Sequence, residues 1–288
     1  MKTVLPAAGI GKRLFPTTKT IPKELLPIYS RVSNNTTFLI PTIQVIFEQL
    51  YQNKISNFCF VTRQGEKSIK EHFTQNYQYQ NHLNVEQKKL HANFFRRIRN
   101  SDIRWICQKK PIGFGNAVKL AEKYVGKDNF IVHATDTVII SKQKHPITRF
   151  YEIAKKDPTV AAVLLCKKVK DPTRFGVAKL KKISPNTYEV KEVQEKPLNP
   201  KSNMIILGLY FFKPIIIECL KKIRVGHGNE YQLTDAIQKL IQMGKKVVAI
   251  KLEKDEVDLD IGTVKSYRNA LETSYRQLVL KQNSLKNI

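Results

Sequence analysis

Two glycines set two apart behind a short apolar run, with several cations in the same loop, are the part of this sequence best suited to chemistry. The run is Val4-Leu5-Pro6-Ala7-Ala8, and the loop continues Gly9-Ile10-Gly11-Lys12-Arg13-Leu14-Phe15-Pro16, then Ile21-Pro22-Lys23-Glu24-Leu25-Leu26-Pro27. Glycine allows a tight turn and brings bare backbone N–H groups against an anion, while Lys12, Arg13, Lys19 and Lys23 add fixed positive charge. Such a loop suits a triphosphate. Two better-known phosphate loops do not fit. The dinucleotide fingerprint needs a third glycine where Leu14 stands, and the P-loop needs Ser or Thr after its lysine where Arg13 stands. Taken alone, the glycine pair also fits an ordinary strand-to-loop turn with solvated basic side chains.

A phosphate loop has to be held at the end of a strand, and the rest of the chain offers the strands. Apolar, β-branched runs alternate with segments of helical period, the signature of a mostly parallel sheet flanked by helices. Strands are predicted at 2–7, 57–62, 103–107, 130–134, 159–166, 175–180, 188–193, 204–212 and 247–252. Helices are predicted at 39–53, 66–75, 115–124, 147–155, 214–222 and 233–243, and again from Thr263 to near residue 288. The 233–243 span puts Leu233, Ile237, Leu240 and Ile241 on one face and has Gly244 as its stop. The fold class is α/β, with a Rossmann-like mixed, mostly parallel sheet. Open sheets of that kind bind ligands beyond the carboxyl ends of their strands, and Gly9 to Arg13, Gln108 and Asp136 fall at such ends. The stretch 75–100, rich in Gln, Asn, Tyr and basic residues, reads as a polar helical or irregular excursion. Its aromatics, Tyr77, Tyr79, Phe94 and Phe95, are read as packing residues rather than base-stacking ones.

Further motifs follow the loop in order: Gln108 to Val118 (Q-K-K-P-I-G-F-G-N-A-V), Asp136 in His-Ala-Thr-Asp-Thr, Phe175-Gly176-Val177, Glu195-Lys196-Pro197, Glu230 to Ile237, and Asp260-Ile261-Gly262-Thr263. With G-x-G-x-R-x-x-P and P-K-E-x-L-P before them, they cover most of the chain. The set resembles the sugar-nucleotide pyrophosphorylases, a family of nucleotidyltransferases, and the Pro22-Lys23-Glu24 form resembles their uridylyl branch. That resemblance implies a metal-dependent reaction in which the phosphate oxygen of glucose 1-phosphate attacks the α-phosphorus of UTP in line, giving UDP-glucose and pyrophosphate. The nucleophile is already an anion, so no general base is required; catalysis reduces to alignment and charge neutralisation.

The resemblance also implies roles for individual residues. Arg13, Lys23 and Lys196 are the catalytic cations, the first two toward the nucleotide phosphates and Lys196 toward the sugar phosphate. Ala8, Gly9, Gly11, Lys12 and Glu24 belong to the nucleotide site. So do Gln108, whose amide offers donor and acceptor to a pyrimidine edge, and Gly113 and Gly115, which let backbone approach the base. Gly176 gives room for a hexose, and Glu195 accepts from its hydroxyls. Asp136 and Asp260 are the ligands for Mg2+, a hard cation that takes one or two carboxylates and completes its shell with phosphate oxygens and water. A lone Asp after a strand is otherwise a turn or helix cap, and Asp258 rivals Asp260. His133, within an apolar strand, reads as structural.

Several positions depart from the family pattern. Lys12 stands where a small hydroxyl residue is commoner, Thr135 where glycine or proline is usual, and Asn229 where an acidic residue is common. Ser30 to Phe38 reads as an inserted polar loop, in which Asn35-Thr36-Thr37 would accept a glycan only in a secreted protein. The thymidylyl branch, or another base or sugar on the same fold, is the nearer alternative. A catalytically idle basic binding protein is the distant one, against which stand Arg13, Lys23, Asp136, Lys196 and Asp260, all present.

Composition bounds the same reading independently. With 288 residues and 42% hydrophobic content the chain can bury a sizeable core. It reads as a single nucleotidyltransferase domain, 1–288, with a nucleotide part at about 1–140, a sugar part at about 141–262 and a helical tail at about 263–288. No apolar run is long enough to cross a bilayer, and no signal-peptide pattern opens the sequence, so a cytoplasmic protein is expected. Cys59, Cys107, Cys166 and Cys219 are far apart in mainly apolar runs and read as buried thiols. The net charge of +26 is spread over the whole length without an RNA-binding or zinc-finger signature. Specific nucleic-acid binding is therefore not expected, although weak association at low salt is. Relatives form dimers or tetramers, which implies a homo-oligomer.

Overall fold

The computed structural model describes residues 1–31, 36–78 and 80–286. Val32 to Asn35 of the expected insertion, with the asparagine of its Asn-Thr-Thr sequence, and Tyr79 lie outside the described residues.

The chain begins with β1 (Lys2–Ala7), the hairpin β2 (Pro27–Arg31) and β3 (Thr37–Pro41), α1 (Thr42–Gln52), β4 (Asn57–Arg63) and α2 (Ser68–His72). Next come α3 (Val85–Arg99), β5 (Asp102–Gln108), α4 (Phe114–Leu120), α5 (Glu122–Val125), β6 (Phe130–His133), β7 (Thr137–Ser141) and α6 (Pro146–Lys156). The rest is β8 (Val160–Lys168), β9 (Gly176–Ser184), β10 (Thr187–Glu195), β11 (Met204–Phe212), α7 (Ile215–Lys222), α8 (Leu233–Gln242), β12 (Lys246–Lys251), β13 (Glu256–Asp260) and α9 (Val264–Lys286). No helix among the described residues is long and apolar enough to cross a membrane.

A nine-stranded sheet in the order β5-β4-β1-β6-β11-β8-β12-β10-β9 carries the fold, and in it β11 and β10 run against the others. Its far end curls, so that Val177 of β9 also pairs with Ile205 of β11. Side-chain alternation explains why the central strands are apolar throughout. Leu5, Phe58, Phe60 and Ile131 point into one core with Ile43, Phe47, Phe94 and Phe150 of the helices. Their neighbours Val4, Cys59, Val61 and Val132 point into a second core with Val118, Ile217, Leu220 and Ile237. Helices cover both faces, so neither face of these strands needs polar residues.

Several expectations change in detail. Helix α1 starts at Thr42, not at residue 39, because Thr37 to Pro41 pair with Pro27 to Arg31 and Pro41 turns the chain with ψ 136°. The expected 115–124 helix breaks at Ala121 into α4 and α5. Within 75–100 a regular helix, α3, runs behind a capping box in which Asn84 and Gln87 satisfy each other's backbone N–H. Phe94 and Phe95 are buried as packing residues, but Tyr77 is exposed. Of the cysteines, Cys59, Cys166 and Cys219 are buried, whereas Cys107 is exposed because it lies on β5, the edge strand of the sheet.

Candidate active site

At the carboxyl end of β1 the chain turns through Gly9 and Gly11, the latter in the left-handed region at φ 71°. A Cβ on Gly11 would come within 2.9 Å of Thr18 Cγ2, whose hydroxyl donates to the Gly11 carbonyl at 2.9 Å. Only glycine fits there. Ala8 is buried, Lys12 and Arg13 are exposed, and the Lys23 ammonium lies where it would contact a Cβ on Gly9, at 3.6 Å.

Opposite this turn stand two carboxylates from distant parts of the chain. Strand β13 pairs with β7 so that Asp260 faces Thr137, and the Ile261 N–H donates to the Asp136 carbonyl at 2.9 Å. Asp260 thus ends a strand of its own, one that the expected strands did not include. Asp258 is held instead by Lys167, at 2.5 Å. Lys23 Nζ donates to Asp136 Oδ2 at 2.6 Å. Arg13 lies against Gly262, where a Cβ would be 2.9 Å from both the guanidinium and Asp260 Oδ1.

The electrostatics follow from this packing. Burial works to raise the Asp136 carboxyl, but Lys23 and then Arg13 hold it below its ordinary value. Asp260 is pushed up, by burial first and then by the Asp136 charge. Burial works to lower Lys23, yet Asp136 and Glu24 keep it above its ordinary value. Two carboxylates that raise each other's cost of ionisation form a donor set a hard divalent cation would relieve. Among the described residues no group of three or more His, Cys, Asp or Glu forms a cage. An ion here would therefore draw its remaining ligands from phosphate and water, the arrangement magnesium favours.

Glu24, expected among the nucleotide contacts, is buried, 1% exposed, beside Lys23. Burial lifts its carboxyl to about 7, Thr135 Oγ1 approaches Oε1 at 3.5 Å, and Oε2 has no partner. Gln108 ends β5 with its Nε2 donating to the Gly113 carbonyl at 3.2 Å and to Asn116 Oδ1 at 2.9 Å. Gly113 and Gly115 are needed by packing: a Cβ on either would meet the Tyr231 carbonyl oxygen, at 2.6 and 2.8 Å. The segment 230–232 runs against them, with Tyr231 N–H donating to the Ile112 carbonyl and Gly115 N–H to that of Tyr231. His133 is neutral, pushed down to about 4 by burial, with Nδ1 against the Ala134 carbonyl, a structural residue as expected.

The residues expected for the sugar lie where β9 and β10 pair, Gly176 opposite Glu195. Glu195 Oε1 lies 3.3 Å from Lys196 Nζ, and Glu195 Oε2 accepts from Thr234 Oγ1 at 2.7 Å. Lys196 has φ 41°, a left-handed backbone that a side-chain-bearing residue adopts only when its surroundings impose it; its N–H donates to the Phe175 carbonyl at 3.0 Å. Thr234 lies inside the recognised 230–237 motif but had no assigned role. Arg149 was also missed: it grips Glu256 through both carboxylate oxygens, at 2.7 and 2.6 Å, and also pairs with Glu253. It thereby pins the start of the strand that carries Asp260.

The nucleotidyl transferase family profile matches residues 2–277, nearly the whole chain. The chain belongs to the nucleotidyl transferase family. Members of this family work with a divalent metal as a rule, in keeping with the paired aspartates. A UTP–glucose-1-phosphate uridylyltransferase of Bacillus subtilis is 33% identical over 265 residues, which is 90% of this chain and 86% of that protein. Among solved structures, a UDP-glucose pyrophosphorylase complexed with UDP-glucose superposes with a TM-score of 0.83 at 27% identity, covering 96% of this chain and 98% of that one. A UTP-bound relative from Acinetobacter baumannii superposes with a TM-score of 0.77 at 25% identity, covering 97% and 98%.

Proposed function

We propose that this nucleotidyl transferase is a uridylyltransferase that joins UTP and glucose 1-phosphate into UDP-glucose and releases pyrophosphate. The observation that carries this reading is the gathering of Lys23, Arg13, Asp136 and Asp260 beside the Gly9–Gly11 turn. The relatives' activity agrees with it. A bond forms from the sugar-phosphate oxygen to the α-phosphorus as the bond from that phosphorus to the leaving pyrophosphate oxygen breaks. Both substrates are polyanions, so the barrier is dominated by bringing like charges together.

In this reading the N–H groups around Gly9 and Gly11, with Lys12 and Arg13, hold the nucleotide phosphates, and Lys23 neutralises charge as pyrophosphate departs. Gln108 reads the base. Glu195 accepts hydrogen bonds from the sugar, Gly176 keeps that space open, and Lys196 takes the sugar phosphate. Asp136 and Asp260 would hold Mg2+, which supplies charge neutralisation at the α-phosphate. The chain works in the cytoplasm as a homo-oligomer, which sedimentation velocity would check.

The test is pyrophosphate release with glucose 1-phosphate and magnesium, run in parallel with UTP, dTTP, ATP, CTP and GTP. Preference for UTP supports the uridylyl reading. Preference for dTTP moves the chain to the thymidylyl branch, and silence with every nucleotide and every hexose 1-phosphate overturns the reading.

A further inference from the structure

We infer that Thr234 is a positioning residue for the sugar, fixing how the Glu195 carboxylate is turned toward it; this rests on the reading that Glu195 accepts the sugar's hydroxyls. In the first turn of a helix no helical carbonyl lies one turn earlier, so a threonine hydroxyl there is left to take another partner or water. Thr234, in the first turn of α8, reaches a carboxylate 39 residues away in sequence, at 2.7 Å. The contact is desolvated, with Thr234 7% exposed and the Glu195 side chain 13%. A hydrogen bond to a charged group is worth more than one between neutral groups, and more again out of water.

The surroundings are arranged around that contact. A Cβ on Gly176 would lie 2.9 Å from Thr234 Oγ1 and 3.2 Å from Glu195 Oε2, so the missing side chain at 176 is the space through which the two meet. With Oε2 committed to Thr234 and Lys196 at Oε1, the carboxylate cannot rotate without breaking one contact. The next residue, Asp235, is partly buried and pushed up, by burial first and then by the Glu195 charge. A neutral donor at 234 therefore offsets a repulsion that another anion would add. A carboxylate fixed in this way presents acceptors in one direction only, which discriminates among hexoses by where their hydroxyls point.

The test compares Thr234→Val, which keeps the shape and removes the donor, with Thr234→Ser, which keeps the donor. Steady-state kinetics are measured for glucose 1-phosphate and for UTP, with galactose 1-phosphate as competitor and circular dichroism as the check on folding. The Val variant should raise KM for glucose 1-phosphate about tenfold and narrow its preference over galactose 1-phosphate. KM for UTP should stay within twofold, and the Ser variant should stay near wild type. A folded Val variant with unchanged sugar KM, or equal losses for both substrates, overturns the positioning role. If the Val variant does not fold, Thr234→Ser and Gly176→Ala decide: a normal sugar KM in Gly176→Ala overturns it. A wild-type chain that makes no UDP-sugar from any hexose 1-phosphate would instead defeat the function itself, so the two failures are distinct.

Discussion

The two halves of the candidate site, the phosphate end and the sugar end of the proposed reading, are assembled by different means. At the phosphate end the backbone does the positioning: Asp136 and Asp260 meet because β7 and β13 pair, and the glycine turn is fixed by one left-handed residue. Full charges then face each other, Lys23 on Asp136 and Arg13 beside Asp260. At the sugar end the decisive contacts are between side chains, with Thr234 reaching from a helix to Glu195. On the proposed reading, charges placed by a strand ladder set how fast the nucleotidyl group moves, whereas a carboxylate held by Thr234 and Lys196 sets which sugar is accepted. Damage to the charges at the first end should therefore appear in kcat, and damage at the second in the KM for the sugar phosphate.

The strongest blow to that contrast comes from Asp136→Asn. It should lower turnover by roughly a thousandfold while leaving the fold intact, since removing one anchor of a transition-state charge site costs about 3–4 kcal/mol. A variant with near-normal turnover would sink the idea that this carboxylate is a metal ligand.

Arg149→Met tests whether the ladder itself depends on a remote support. The Glu256 side chain is 1% exposed, and unpaired it should cost about 3–5 kcal/mol. Denaturant unfolding should show that loss, and activity should then need a higher magnesium concentration than in the wild-type chain.

Smaller in effect is Glu24, whose carboxyl is raised to about 7 in the folded chain against an ordinary value of 4.5. Between those values the folded state holds a proton that the unfolded chain has released. The stability it contributes is thus full below pH 4.5 and lost as pH rises through 7. Glu24→Gln should be more stable than wild type at pH 8, by up to about 3 kcal/mol, and equal to it near pH 4.5. Melting curves at pH 4.5 and 8 that move in parallel would contradict this.

The mildest pair sharpens the division directly. Gly11→Ala forces a side chain into φ 71° and against Thr18, and should weaken UTP several-fold. Gly176→Ala presses on Thr234 and Glu195, and should weaken only the sugar phosphate by a similar factor. Equal effects on both substrates in either variant would erase the distinction between the ends.

Much of this was legible in the order of residues. The central strands of the nine-stranded sheet stand out because both their faces are covered, which makes them continuous apolar runs; β11 matches its expected span, 204–212. The β7–β13 ribbon stayed hidden because Glu256-Val257-Asp258-Leu259-Asp260 is charged at every second position. A half-covered strand of that kind reads as a loop unless its alternation is weighed against its charge. Helix α3 was signalled by Asn84 and Gln87, a capping pair obscured by the polarity around it. Pro41 marked the true start of α1. At the candidate site the phosphate loop was readable because its parts are neighbours in sequence. Thr234 was not, because its meaning lies in a partner from another element, and the same holds for Arg149 and the buried Glu24.

The β7–β13 pairing also bears on how the enzyme comes into being. A polypeptide leaves the ribosome from its amino end, so Asp136 is made long before Asp260. Until residues 256–260 emerge and lie down beside 137–141, Asp136 has Lys23 but no second carboxylate beside it. If the two aspartates hold the metal together as proposed, a nascent or prematurely stopped chain carries a nucleotide loop without the means to spend nucleotide, and activity switches on only as that late strand docks.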